Sequence, residues 1–192
     1  MSRPRVEAVV LGASAGGVEA LSAILPSLPS DYPLPLMVVV HVPPDKPSLL
    51  PQLFRAKCGI DVREAEDKEP IQGGTIYFAP PDYHLLVERD KRLSLSSEEP
   101  VLYCRPSIDV LFETAAEAYS VGLVGVILTG ANSDGALGLQ AVWQAGGTAL
   151  AQRPDQAHAP AMPSAALGAC AAAQAMSLEE ILVYLLKVVR AV

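Results

Sequence analysis

The sequence predicts an α/β protein: a doubly wound, mostly parallel sheet with helices on both faces and a small antiparallel insertion around residues 75–97. Three observations carry this. The apolar runs VEAVVL (6–11), LMVVVHV (36–42) and GLVGVILTG (122–130) show little polar alternation, as strands buried on both faces do. Helical stretches fall between such runs, the alternation that builds a parallel sheet. The stretch QGGTIYFAPPDYHLLVERDKRLSLS instead alternates strand and turn, which reads as antiparallel.

In chain order, the strand at 6–11 leads through a glycine-rich turn into a helix over 19–25 that Pro26 stops. The strand at 36–42 is rich in β-branched residues and ends at Pro43-Pro44. Pro47 opens a helix over 48–56, and 62–65 is a short strand. TIYFA, HLLVE and RLSLS are the strands of the insertion, with Pro80-Pro81-Asp82 and Arg89-Asp90-Lys91 as turns. Ser107 opens the helix IDVLFETAAEAYS, whose apolar residues recur near 3.6 spacing. The strand at 122–130 follows, then a helix over 136–145, a strand over 146–152 and a helix over 164–173. The last helix starts at Ser177, where Ser177 and Glu180 form the S-x-x-E capping box, and its leucine-rich face reads as core.

At 192 residues the chain is most simply one domain, residues 1–192. It is 51% hydrophobic and 18% charged, a globular composition. The formal net charge of −7, with no basic stripe, argues against nucleic acid as a partner. Cys58, Cys104 and Cys170 match no zinc or redox spacing and read as reduced thiols. No signal peptide is evident, and no run approaches the roughly 20 apolar residues of a membrane span. The expectation is a soluble, cytoplasmic protein that is not membrane-embedded.

The turn LGASAGG, residues 11–17, is the first candidate site. The dinucleotide fingerprint G-x-G-x-x-G fails, because position 14 is serine, and a P-loop fails, because residue 18 is valine. Gly12-Ala13-Ser14-Ala15-Gly16 does satisfy G-x-S-x-G, which sets a serine on a sharp strand-to-helix turn. A small-residue turn with a capping serine satisfies the same pattern. A nucleophilic serine needs a base. His41 closes the second strand, so if strands one and two are parallel neighbours it emerges at the same sheet edge as Ser14. His84 and His158 read as structural. The base needs an acid to orient it and to stabilise the imidazolium. Asp134, in LTGANSDGALG directly after the strand at 122–130, reaches that edge too; capping the helix from 136 is its other reading. Three strand ends thus deliver Ser14, His41 and Asp134. The order Ser, His, Asp differs from the Ser, Asp, His of α/β-hydrolases.

These residues sit in longer motifs: GASAGG at 12–17, HVPP at 41–44, IYFAPPDYHLLV at 76–87, CRPSIDVLF at 104–112, GVILTGANSDGALGL at 125–139, and AQ…MPSAAL within 151–167. Over nearly its whole length the chain resembles the catalytic domain of the protein-glutamate methylesterases of bacterial chemotaxis (CheB type). The resemblance puts that family's serine, histidine and aspartate on Ser14, His41 and Asp134. It implies hydrolysis of glutamate γ-methyl esters, with release of methanol, and deamidation of glutamines on the cytoplasmic helices of methylated chemoreceptors. Backbone donors at Ala15, Gly16, Ala131 and Asn132 would hold the oxyanion, with no metal and no cofactor. The chain departs from the family at Ala15, where threonine is frequent, at Ala131-Asn132, where Met-Gly is common, and at Val40, where a polar residue is frequent. Typical members carry an N-terminal receiver domain; the expectation here is none, so the chain is either a fragment or a stand-alone member regulated otherwise, with a regulatory receiver domain or a partner protein as the candidate regulator. A serine esterase or amidase acting on another protein, and a non-catalytic regulatory module, are the alternative readings.

Overall fold

The computed structural model describes residues 5–189. In chain order the elements are β1 (Ala8–Ala13), α1 (Gly17–Ile24), β2 (Leu36–Val40), α2 (Leu50–Arg55), β3 (Asp61–Glu64), β4 (Thr75–Phe78), β5 (His84–Val87), β6 (Leu93–Ser96), α3 (Ile108–Tyr119), β7 (Leu123–Ile127), α4 (Ala136–Gln144), β8 (Thr148–Gln152), α5 (Ala161–Ala169), β9 (Gln174–Met176) and α6 (Leu178–Val188). Seven strands form one sheet in the order β3-β4-β2-β1-β7-β8-β9, every neighbouring pair parallel. β5 and β6 form a separate antiparallel pair.

β1, β2 and β7 are buried at every residue because helices cover both sheet faces. Side chains alternate across a strand, so each strand feeds two cores. Val10, Met37, Val39 and Ile127 pack with Phe112, Leu139 and Met162 under α3, α4 and α5. Val9, Leu11, Val38 and Val126 pack with Leu21, Ile24, Ile181 and Leu185 under α1 and α6. The apolar face of α6 is therefore core, and its start is fixed by the capping box: Glu180 N donates to Ser177 Oγ at 3.1 Å, and Ser177 N to Glu180 Oε2 at 2.7 Å.

The antiparallel insertion is smaller than the sequence suggests. Thr75–Phe78 does not pair with the hairpin; it lies parallel between β3 and β2. All four residues are buried, the signature of an interior strand rather than of a hairpin with one wet face. The antiparallel unit is thus confined to 84–96. The fifth helix begins at Ala161, ahead of Pro163, because proline is tolerated in a first turn, where its missing N–H costs nothing. Its early end leaves Gln174–Met176 to add an edge strand, β9, beside β8.

β2 lies on one side of β1 and β7 on the other, so the strand order reverses at β1. The carboxyl ends of β1, β2 and β7 therefore meet at the switch point of the sheet, where such folds leave a crevice.

Candidate active site

Ser14 and His41 follow directly on paired strand ends. The last register pair of β1 and β2 is Ala13 with Val40, and His41 N donates to Ala13 O at 3.1 Å. Ser14 and His41 are the next residues along these two neighbouring strands. Ser14 N donates to Thr129 O at 2.9 Å, which ties the serine to the end of β7. Thr129 Oγ1 donates to Ala15 O at 2.8 Å and accepts from Ala159 N at 2.8 Å, fixing the turn from both sides.

Asp134 is fully buried, and its carboxylate receives four donors. His41 Nε2 lies 2.7 Å from Oδ2, and Ile108 N donates to Oδ2 at 2.7 Å. Ser107 Oγ donates to Oδ1 at 2.8 Å and Asp109 N at 3.0 Å. Two of these are the first amides of α3, so the anion sits on a helix N-terminus, where the dipole favours it. Burial pushes the Asp134 carboxyl up, but the bonds from His41, from the Asp109 and Ile108 amides and from Ser107 outweigh it and hold its pKa below the ordinary carboxylate value. A carboxylate only accepts, so the facing Nε2 carries a proton and Nδ1 keeps its lone pair. The bond to Asp134 thereby orients the His41 ring, with Nδ1 on the side away from the carboxylate.

The sequence left open whether Asp134 caps the helix from 136. It does not: Gly135 occupies that N-cap at φ 96°, while Asp134 serves α3. The reciprocal group is Asp109, whose Oδ1 accepts from Gly135 N at 3.0 Å and Gly138 N at 2.7 Å at the start of α4. Two helix starts thus exchange carboxylates across the site. Gly12 makes the approach possible, since a Cβ there would lie 2.4 Å from Ile108 Cγ2.

The structure brings His41 and Asp134 into contact, with Ser14 on the neighbouring strand end. The Ser14 hydroxyl makes no hydrogen bond with the ring; what faces Nδ1 is Cys104 Sγ at 3.8 Å. Serine–histidine bonds are often loose without substrate. Burial first, then the Asp134 charge, push the Cys104 thiol up, so it stays protonated and is a poor nucleophile. His41, Cys104 and Asp134 offer atoms within 4.8 Å of one another, but Asp134 already serves four donors, which leaves only His41 Nδ1 and Cys104 Sγ for a metal.

The turn supplies further chemistry. Ser14 O accepts from Gly17 N at 2.8 Å, and Gly16 takes φ 78°, bending the chain so that α1 starts beside the serine. The amides of Ala15, Gly16, Ala131 and Asn132 donate to no group among the described residues, whereas Gly130 N is spent on Ala159 O at 3.0 Å. His84 is buried and structural: its Nδ1 accepts from Ser107 N at 3.1 Å and its Nε2 bonds Glu99 O at 3.0 Å. His158 lies over the turn, 2.6 Å from where a Cβ on Gly16 would be. Ser107, Asp109 and Cys104 carry no site signal of their own in the sequence, although the segment they share, CRPSIDVLF, does.

A cavity of about 160 Å³ opens beside His41, walled by Asp82, Tyr103, Cys104 and Arg105 together with Val42 and three prolines; Ser14 is not among its walls. No described helix is long and apolar enough to cross a membrane.

Comparison with known proteins places the chain. Residues 9–185 match the family model for the CheB methylesterase. A Leptospira interrogans protein, provisionally named a protein-glutamate methylesterase/protein-glutamine glutaminase, is 47% identical over 175 residues, covering 91% of each chain. The protein-glutamate methylesterase/protein-glutamine glutaminase of Archaeoglobus fulgidus is 38% identical over 162 residues, 83% of this chain but 46% of its own length. The crystal structure of the Thermotoga maritima CheB methylesterase catalytic domain superposes with a TM-score of 0.88 at 31% identity, covering 96% of this chain and 99% of that one.

Proposed function

The chain belongs to the CheB methylesterase family, and on that premise we propose that residues 1–192 act as one catalytic domain, a serine hydrolase that removes γ-methyl esters from glutamates, and deamidates glutamines, on the cytoplasmic helices of chemoreceptors. The observation that carries the reading is the buried Asp134–His41 pair at 2.7 Å, set at the strand end next to Ser14. His41 Nδ1 takes the proton of Ser14 Oγ as the oxygen attacks the ester carbonyl. Asp134 stabilises the imidazolium that forms. Unpartnered amides at Ala15 and Gly16, and at Ala131 and Asn132, are the donors for the oxyanion, and a helix start adds its dipole. The imidazolium returns its proton to the leaving methoxide, giving methanol, and water then attacks the acyl-serine with His41 again as base.

The test is release of labelled methanol from methyl-labelled receptor membranes. The wild type is expected to release it and Ser14→Ala to abolish release. Release that persists in Ser14→Ala would refute the nucleophile. Labelling of Ser14 by a fluorophosphonate without methanol release would assign the chain to another ester or amide.

A further inference from the structure

Beside the cavity the chain makes a tight two-residue turn. Val101 and Cys104 pair antiparallel, Val101 N donating to Cys104 O at 3.1 Å and Cys104 N to Val101 O at 2.8 Å. Leu102 and Tyr103 close this two-residue hairpin, both left-handed, at φ 49° and 64°. Such a turn favours Asn-Gly, because side chains with a Cβ are strained at positive φ. Here it carries two large residues and buries neither well: Tyr103 is 103% exposed and Leu102 49%. Strain of this kind persists where the surroundings impose it, and it collects at ligand-contacting segments.

The surroundings do impose it. Cys104 Sγ, next to the turn, lies 3.8 Å from His41 Nδ1 and accepts from Asn132 Nδ2 at 3.3 Å. Arg105 donates to Asp82 Oδ1 from Nε at 3.0 Å and from Nη2 at 2.6 Å, and from Nη1 to Ser97 O at 2.9 Å. Asp82 is itself left-handed, at φ 63°, and the adjacent Tyr83 is exposed. The Arg105 guanidinium, just past the Leu102–Tyr103 turn, thus ties this segment to the left-handed Asp82 and to Ser97, and both Asp82 and Tyr103 line the cavity.

The cavity beside His41, about 160 Å³, is small against the ~300–1,000 Å³ of ordinary ligand pockets. It has room for a side chain and little more, and Tyr103 stands in its wall. We propose that the Leu102–Tyr103 turn is the docking element for the protein substrate, packing its aromatic and aliphatic side chains on the helix that carries the reacting glutamate. This rests on the function proposed above. A rigid turn suits the role, since a contact ordered beforehand costs less on binding, and an exposed tyrosine is a common anchor in protein interfaces.

The experiment replaces the turn by the pair its geometry favours, L102N/Y103G, in the full chain. Three quantities are read: thermal midpoint, kcat/KM on methylated receptor membranes, and kcat/KM on p-nitrophenyl acetate. The midpoint is expected to hold or rise, because strain is removed. The receptor-to-small-ester ratio of kcat/KM is expected to fall by at least about tenfold, through KM. In a Ser14→Ala background the same pair should weaken receptor binding by a similar factor. Tyr103→Phe, which keeps the ring, should hold the ratio near that of the wild type. An unchanged ratio with unchanged binding overturns the proposal, as does a proportional fall on both substrates, which would mean the turn supports the catalytic centre. A wild type that cleaves the small ester but neither binds nor demethylates receptor refutes the substrate assignment itself, and the docking role with it.

Discussion

Replacing Asp134 by asparagine separates two roles that the same carboxylate plays. Its Oδ2 holds His41 Nε2 and Ile108 N, both at 2.7 Å, and its Oδ1 holds Ser107 Oγ at 2.8 Å and Asp109 N at 3.0 Å. Asparagine keeps the shape but turns one acceptor into a donor. With the amide nitrogen at Oδ1, Ser107 can rotate its hydroxyl and accept, while Asp109 N–H faces another N–H. With the nitrogen at Oδ2, two donors conflict and His41 is driven into the other tautomer. The first arrangement costs less, so His41 keeps its bond, now to a neutral oxygen. Hydrogen bonds to charged groups contribute about 1.5–3 kcal/mol each. One lost bond and three weakened ones amount to about 3 kcal/mol of folding stability. The imidazolium formed during the reaction also loses its counter-charge in a buried site, and kcat is expected to fall by about 10²–10⁴-fold with little change in KM. Urea denaturation and methanol-release kinetics measure the two effects. A variant destabilised as predicted but with kcat within about tenfold of the wild type would show Asp134 to be only a cap on α3, and the catalytic reasoning would fail.

Two further outcomes follow from the same geometry. Burial first, and then the nearby Asp134 charge against the bond from Gly138, push the Asp109 carboxyl from 3.8 up to about 6. The folded state then holds this proton more tightly than the unfolded chain, so the group's contribution to stability falls as pH rises from about 4 to about 6 and stays low above. That displacement corresponds to at most about 3 kcal/mol. Asp109→Asn keeps an acceptor for Gly135 and Gly138 and should remove most of that slope in urea midpoints taken between pH 4.5 and 7.5; an identical slope in variant and wild type would contradict the assignment. Gly16→Ala places a Cβ at φ 78° and 2.6 Å from His158 Cβ, so it should cost about 1–2 kcal/mol and slow fluorophosphonate labelling of Ser14; labelling at the wild-type rate would show that the turn does not need this geometry.

The parts of the fold legible in the sequence are those written locally. Continuous apolar runs gave β1, β2 and β7, and the candidate site follows once those strands are taken as parallel neighbours: Ser14 and His41 each lie one residue past a strand end, and Asp134 lies in the loop that follows β7. Ser177 and Glu180 announced the last helix because a capping box is completed within four residues. What escaped depends on distant partners. TIYF looks like a hairpin strand beside HLLV, and only its pairing with β2 and β3 shows it to be an interior strand. Gln174–Met176 carries no strand pattern and is a strand because β8 lies beside it. Ser107 was legible as a helix cap, but its bond to Asp134, 27 residues on, was not. The exchange of carboxylates between α3 and α4 needs two helix starts to meet, which neither segment encodes alone.

What decides the chemistry is whether Ser14, rather than the Cys104 thiol 3.8 Å from Nδ1, attacks the substrate. Peptide mapping of the active protein, titrated with a fluorophosphonate while methanol release is followed, tests it most directly. One adduct is expected, on Ser14, with release lost in step with labelling and no labelling in His41→Ala. Full modification of Ser14 with methanol release intact, or inactivation with no adduct on Ser14, would contradict it.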